Sequence, residues 1–163
     1  MKLTLSIIVM IFTSITINAQ KIKKVSVGDN AYNIVGTDQN GNKINLYNYR
    51  GKYNLLNFTA TNCGPCWKTY SIMNEVQEKY SNKLKVISFH FDNNIEKWNA
   101  IAQKKNIDFK CTSIWESKDK SNIISAYKID GYPYFYLIDK KGKIVKKWFG
   151  NQRSKIEKML KKI

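Results

Sequence analysis

Cys63-Gly64-Pro65-Cys66 is the segment best equipped for chemistry. Two cysteines at C-x-x-C spacing close a small disulfide and open it again. They follow the apolar run Tyr53 to Phe58 and precede a helix-like stretch from Trp67 to Tyr80. At such a strand-to-helix junction the free N–H groups of a helix start favour a thiolate, the attacking species in thiol–disulfide exchange. Cys63 is the expected nucleophile, half-exposed and with a lowered pKa. Cys66, one turn deeper, is the expected resolving thiol. Gly64 lets another backbone approach closely, and Pro65 sits where its missing N–H costs nothing. The residues therefore suggest electron transfer between dithiols and disulfides.

Two other uses of the pair are open to the same residues. A zinc site needs two more ligands, and only Cys111 and His90 are left to supply them, at no familiar spacing. No metal is expected. An inert structural disulfide would constrain little chain, because stabilisation grows with loop size. Gly131-Tyr132-Pro133-Tyr134 is the second constellation, with one of only two prolines at the entrance to an apolar strand. From these residues alone Pro133 fits a cis bond in a tight turn or an ordinary trans turn. Cys111 reads as a small buried hydrophobe, His90 as a satisfied histidine at a strand end, and the four tryptophans as core or groove aromatics.

The elements that must position these groups follow from the pattern of apolar residues. Residues 31–36 and 43–47 flank Asn40-Gly41, the signal of a β-hairpin. Residues 53–58, 84–91 and 134–138 read as strands, the first one central. Residues 107–115 read as a short extended piece, and 143–149 as the hairpin partner of the strand at 134–138. Helical spacing marks 67–80, 95–104, 122–127 and 154–163. Residues 21–30 are polar and read as a flexible lead-in. One α/β sheet of mixed direction is expected, in one domain.

Residues 1–20 read as a secretory signal peptide. Lys2 gives a positive start, Leu3 to Ile17 is apolar, and Ile17-Asn18-Ala19 offers a cleavage point. The expected location is the periplasm or cell envelope, tethered to the membrane if the segment stays uncut. There a C-x-x-C pair can persist as a disulfide. The net charge is +16, and 27 basic against 12 acidic residues lie beyond residue 20. Only Arg50 and Arg153 are arginines, and base readout prefers arginine. Nucleic acid is therefore not an expected partner, whereas weak contact with an anionic membrane surface is.

The run Asn48 to Cys66 resembles the active-site segment of thioredoxin-like proteins, and most of all their exported TlpA/ResA-like branch. Val27-Gly28-Asp29, the Asn40-Gly41 hairpin, Tyr127 to Pro133 and Tyr134 to Ile144 extend the resemblance over roughly residues 25–163. It implies a thioredoxin fold: a mixed central sheet with flanking helices, an N-terminal β-hairpin and an inserted helix at 95–104, together forming a thioredoxin domain over 21–163. It also implies that Pro133 is cis beside the dithiol and that the Tyr132 backbone pairs with a bound partner strand. The function implied is an exported thiol–disulfide oxidoreductase, working as a reductant. Its partners would be protein thiols and disulfides of the envelope, with an electron donor the sequence does not name. It would act as a monomer, with no cofactor beyond the Cys63–Cys66 pair.

The chain departs from the family at several places. Asn62 replaces the usual Trp before the first cysteine, and Tyr132 the usual Thr before the proline. Trp67 is a candidate to fill the place of the absent Trp. Asn57 and Thr69 stand where relatives carry a buried Asp or Glu that helps move the resolving thiol's proton. These departures keep a slow or redox-inactive binding module as the alternative. A peroxidase of the related peroxiredoxin fold is a third class, but Thr59-x-x-Asn62 lacks its cysteine.

Overall fold

The computed structural model describes residues 22–92 and 94–161. The candidate signal segment lies outside them. Seven strands make one sheet: β1 Val35–Asp38, β2 Lys43–Asn45, β3 Tyr53–Thr59, β4 Leu84–His90, β5 Thr112–Glu116, β6 Tyr134–Ile138 and β7 Ile144–Phe149. Their spatial order is β2-β1-β5-β4-β3-β6-β7. β4 runs parallel to both β3 and β5, and the other neighbours are antiparallel. The helices are α1 Gly64–Trp67, α2 Tyr70–Lys79, α3 Ile95–Lys104, α4 Lys120–Tyr127 and α5 Arg153–Leu160.

β3 is buried along its length beyond Tyr53 because helices cover both faces of the sheet. Its side chains alternate between two cores. Leu55 joins Trp67, Tyr70, Met73, Trp98 and Ile156, under α1, α2, α3 and α5. Leu56 and Phe58 join Ile34, Ile123, Tyr127 and Ile144, under α4 and the N-terminal arm. Trp98 and Ala102 are the buried residues of α3, at the spacing expected from the sequence.

Three expectations are corrected. The stretch from Trp67 to Tyr80 is two helices, with the first starting at Gly64. The Thr69 hydroxyl donates to the Cys66 carbonyl (2.7 Å), capping α1 in place of a continuing helix bond. The lead-in is also built into the fold. Val25 is buried, its N–H donates to the Ala126 carbonyl (2.8 Å), and the Gly28 N–H donates to Ile144 (2.8 Å). These bonds come from residues more than a hundred positions away, beyond the reach of local pattern. The hairpin strands are shorter than expected, because Leu46–Tyr49 closes into a 3-10 helix capped by the Asn45 side chain.

Candidate active site

β3 delivers the chain to the site, and a three-part staple fixes the loop beyond it. The Asp92 carboxylate accepts from the Thr61 N–H and the Thr61 hydroxyl, both at 2.6 Å. The Thr61 carbonyl in turn accepts from the Trp67 indole N–H at 2.9 Å. Burial alone would raise the Asp92 pKa, yet the bonds from Thr61 and the Asn94 N–H hold it below the usual carboxylate value. Neither bond is legible in the sequence: Asp92 meets Thr61 only when the end of β4 comes beside the end of β3, and the Trp67 bond depends on how the six-residue turn from Thr61 into α1 folds back.

Cys63 is the N-cap of α1, and its Sγ accepts from the Cys66 N–H at 3.1 Å. It is half-exposed, whereas Cys66 is buried. The two are joined in a disulfide. Gly64 and Pro65 are exposed, and a Cβ added at Gly64 would meet nothing within 4 Å. The outer rim is thus open to an approaching backbone.

Pro133 reaches the same place from β6. Phe58 pairs with Tyr134, so one step further along the ladder Pro133 stands beside Thr59, just ahead of the loop to Cys63. The Tyr132–Pro133 bond is cis, as the family resemblance implied. The Pro133 carbonyl accepts from the Gly150 N–H (2.8 Å), and Tyr132 packs on Phe91 (centroids 4.5 Å apart). Trp67 does not fill the place left by Asn62: it is buried against Tyr70, Trp98 and Phe109, while Asn62 is exposed.

Beneath α1 and α2 the sheet carries polar groups where a core would normally be apolar. Asn57 pairs with Ser88, and Ser88 with Ser113, so one row across three strands is polar and fully buried. Among the described residues neither polar atom of the Asn57 side chain has a hydrogen-bond partner, nor does the Ser113 hydroxyl. The next row pairs Thr59 with His90. His90 stacks on Trp115 (3.6 Å), and its Nε2 lies 3.5 Å from the Tyr70 hydroxyl. Burial pushes its pKa down to about 3, so it is neutral. The expectation of a satisfied histidine holds for one nitrogen only, because Nδ1 has no partner among the described residues. Cys111 is buried 3.7 Å from the Ser88 hydroxyl, and burial raises its thiol pKa. Among the described residues no three His, Cys, Asp or Glu side chains gather as metal ligands.

A mixed sheet that presents a half-exposed and a buried cysteine at a helix start, with a cis-proline alongside, defines a thioredoxin-fold thiol–disulfide oxidoreductase. The chain belongs to the AhpC/TSA family, which its residues 27–147 match. It is 37% identical over 146 residues to the thiol-disulfide oxidoreductase ResA of Bacillus cereus, covering 86% of this chain and 80% of that one. ResA of Bacillus anthracis is 36% identical over 144 residues, with 86% and 80% covered. The fold matches the thioredoxin domain of a thiol-disulfide oxidoreductase from Bacteroides vulgatus, with a TM-score of 0.72 at 24% identity, covering 83% of this chain and 99% of that one. A thiol:disulfide interchange protein from Bacteroides sp. gives 0.73 at 23% identity, with 85% and 90% covered.

Proposed function

We propose that this is an exported thiol–disulfide oxidoreductase that reduces disulfides of envelope proteins through Cys63 and Cys66. The observation that carries this reading is the division of labour between the two sulfurs, one half-exposed at a helix cap and one buried a turn deeper. In the reduced pair the Cys66 N–H, aimed at Cys63 Sγ, favours the thiolate there. That thiolate attacks a partner disulfide, forming a mixed disulfide and expelling the partner's other sulfur as a thiolate. Cys66 then gives up its proton and attacks Cys63 Sγ. The Cys63–Cys66 bond forms, the mixed bond breaks, and the partner leaves as a dithiol carrying two more electrons. A reduced thiol donor of the envelope must afterwards return the electron pair. No group beyond the two cysteines takes part in the electron transfer.

Gly64, Pro65, Tyr132 and Pro133 form the rim on which the partner strand lies, with the Tyr132 backbone pairing to it. The inner Gly-Pro dipeptide supports the reducing direction, because it is the pair found in reducing thioredoxins. Export rests on the sequence of residues 1–20, and the protein works as a monomer. Insulin reduction tests the activity: the wild type turns over and Cys63→Ser does not. Cys66→Ser should accumulate a mixed disulfide through Cys63, and mass spectrometry names the attached partner. Equal slow turnover in wild type and Cys63→Ser would overturn the proposal in favour of a binding module, the reading that Asn57 and Thr69, in place of carboxylates, keep open.

A further inference from the structure

The charge of this chain is concentrated at the pole opposite the dithiol. β3 and β4 both start there, α2 and β6 both end there, and three turns meet. The Gly51 N–H donates to the Lys140 carbonyl (2.9 Å), the Lys52 ammonium donates to the Ser81 carbonyl (2.8 Å), and the Arg50 side chain lies against Gly142. Segments 46–53, 78–85 and 139–143 hold eight basic residues and two acidic ones. Of the two, Asp139 spends Oδ1 on the N–H groups of Lys141 and Lys143 within its own turn. At the dithiol pole, segments 59–68, 90–96 and 128–134 hold two basic and three acidic residues.

Tyrosines are interleaved with these cations. Arg50 lies over the Tyr47 ring (4.1 Å), Lys85 over Tyr49 (5.4 Å) and Lys140 over Tyr53 (5.9 Å), while Lys79 and Lys83 flank Tyr80 (5.7 and 5.5 Å). The rings are half-buried, and Arg50, Lys52, Lys79, Lys140, Lys141 and Lys143 are exposed.

We propose that this lysine–tyrosine pole docks on the headgroups of an anionic lipid surface and holds the dithiol pole facing away from it. The proposal rests on the envelope location given above and adds the face and the orientation. Seven of the eight cations are lysine, a hydrated point charge suited to a mobile array of phosphates rather than to fixed bidentate pairing. Tyrosine favours the same interfacial layer, where one end of the ring is wet and the other apolar. A nucleic acid or an acidic protein would instead call for arginine forks at defined positions.

The test uses the full chain, with phosphatidylcholine vesicles prepared with and without phosphatidylglycerol. Co-sedimentation should show tighter binding to the anionic vesicles, weakening with salt. Lys140→Glu with Lys141→Glu should lower that preference by at least ~20-fold, the effect of losing two lysines at the surface. Lys97→Glu with Lys118→Glu makes the same change in net charge away from the pole and should alter it by less than ~3-fold. Equal losses in the two variants, or no preference for anionic vesicles in the wild type, would overturn the proposal. Stronger binding to heparin or nucleic acid than to the vesicles, lost in the Lys140/Lys141 variant, would overturn it too. Insulin reduction stays at wild-type rate in both variants, and Cys63→Ser binds vesicles as the wild type does. A failure of docking is thereby separated from a failure of the redox reading.

Discussion

Asp92 shows how one side chain beyond the reactive pair sets its geometry. Its carboxylate accepts two short bonds from Thr61, and Thr61 is tied to the indole of Trp67, next to Cys66. Hydrogen bonds to a charged group each contribute about 1.5–3 kcal/mol. Asp92→Ala should therefore lower stability by about 2–4 kcal/mol in urea titration and slow insulin reduction, with Asp92→Asn in between because it keeps an acceptor. Equal behaviour of the two variants would show that the charge, not the bonding, matters. His90 makes the pH dependence testable. Its folded-state pKa of about 3 lies below the ordinary value of 6.5. The unfolded chain thus binds a proton that the folded protein refuses, and stability falls as pH drops from about 6.5 towards about 3. The full effect is about 5 kcal/mol. The lowered Asp92 pKa adds a loss at the acid end of that window, as its carboxylate is protonated. Melting temperature against pH should be visibly flatter for His90→Gln over this range, and an unchanged slope would assign the acid sensitivity elsewhere.

Among the elements, β1 depends on the absence of a side chain. A Cβ at Gly36 would stand 2.3 Å from the Glu116 carbonyl oxygen and 2.5 Å from Ile114 Cγ2. Backbone occupies the first of these positions, so the clash cannot be relieved by a rotamer change. Gly36→Ala should separate β1 from β5 and cost about 2–3 kcal/mol in urea titration, while the dithiol, carried by β3 at the other side of β4, keeps its reactivity. The break between α1 and α2 belongs to the same scale. Continuous helical spacing through residues 67–80 made one helix the natural reading, and apolar periodicity does not report the Thr69 hydroxyl bonding back to Cys66. Helix α3 and strand β6 match their sequence bounds, because each is bounded by a polar or proline residue, and α3 buries a regular stripe while β6 is a continuous apolar run.

At the scale of the molecule, membership of the AhpC/TSA family sets a question the site answers. A peroxidase of that fold would consume peroxide through a lone cysteine, yet this chain has a disulfide-forming pair and an exposed Asn62. Peroxide added to the reduced protein should disappear no faster than with free dithiol, while insulin reduction proceeds; rapid peroxide turnover abolished by Cys63→Ser would reverse that assignment. The polarity of charge between the two poles is also a whole-molecule property. It depends on three turns far apart in the chain arriving at one end of the sheet.

The residues alone specified the reactive pair, its strand-to-helix setting and the interior strand that carries it, because C-x-x-C, turn glycines and hydrophobic periodicity are local signals. Folding in three dimensions settled the remainder: the carboxylate that pins the loop before Cys63, the packing of residues 22–30 onto α4 and β7, and the polar row beneath the dithiol. Each of those joins strands or loops whose partners stand tens of residues apart, and no local pattern of side chains encodes a contact that exists only after the sheet has been ordered.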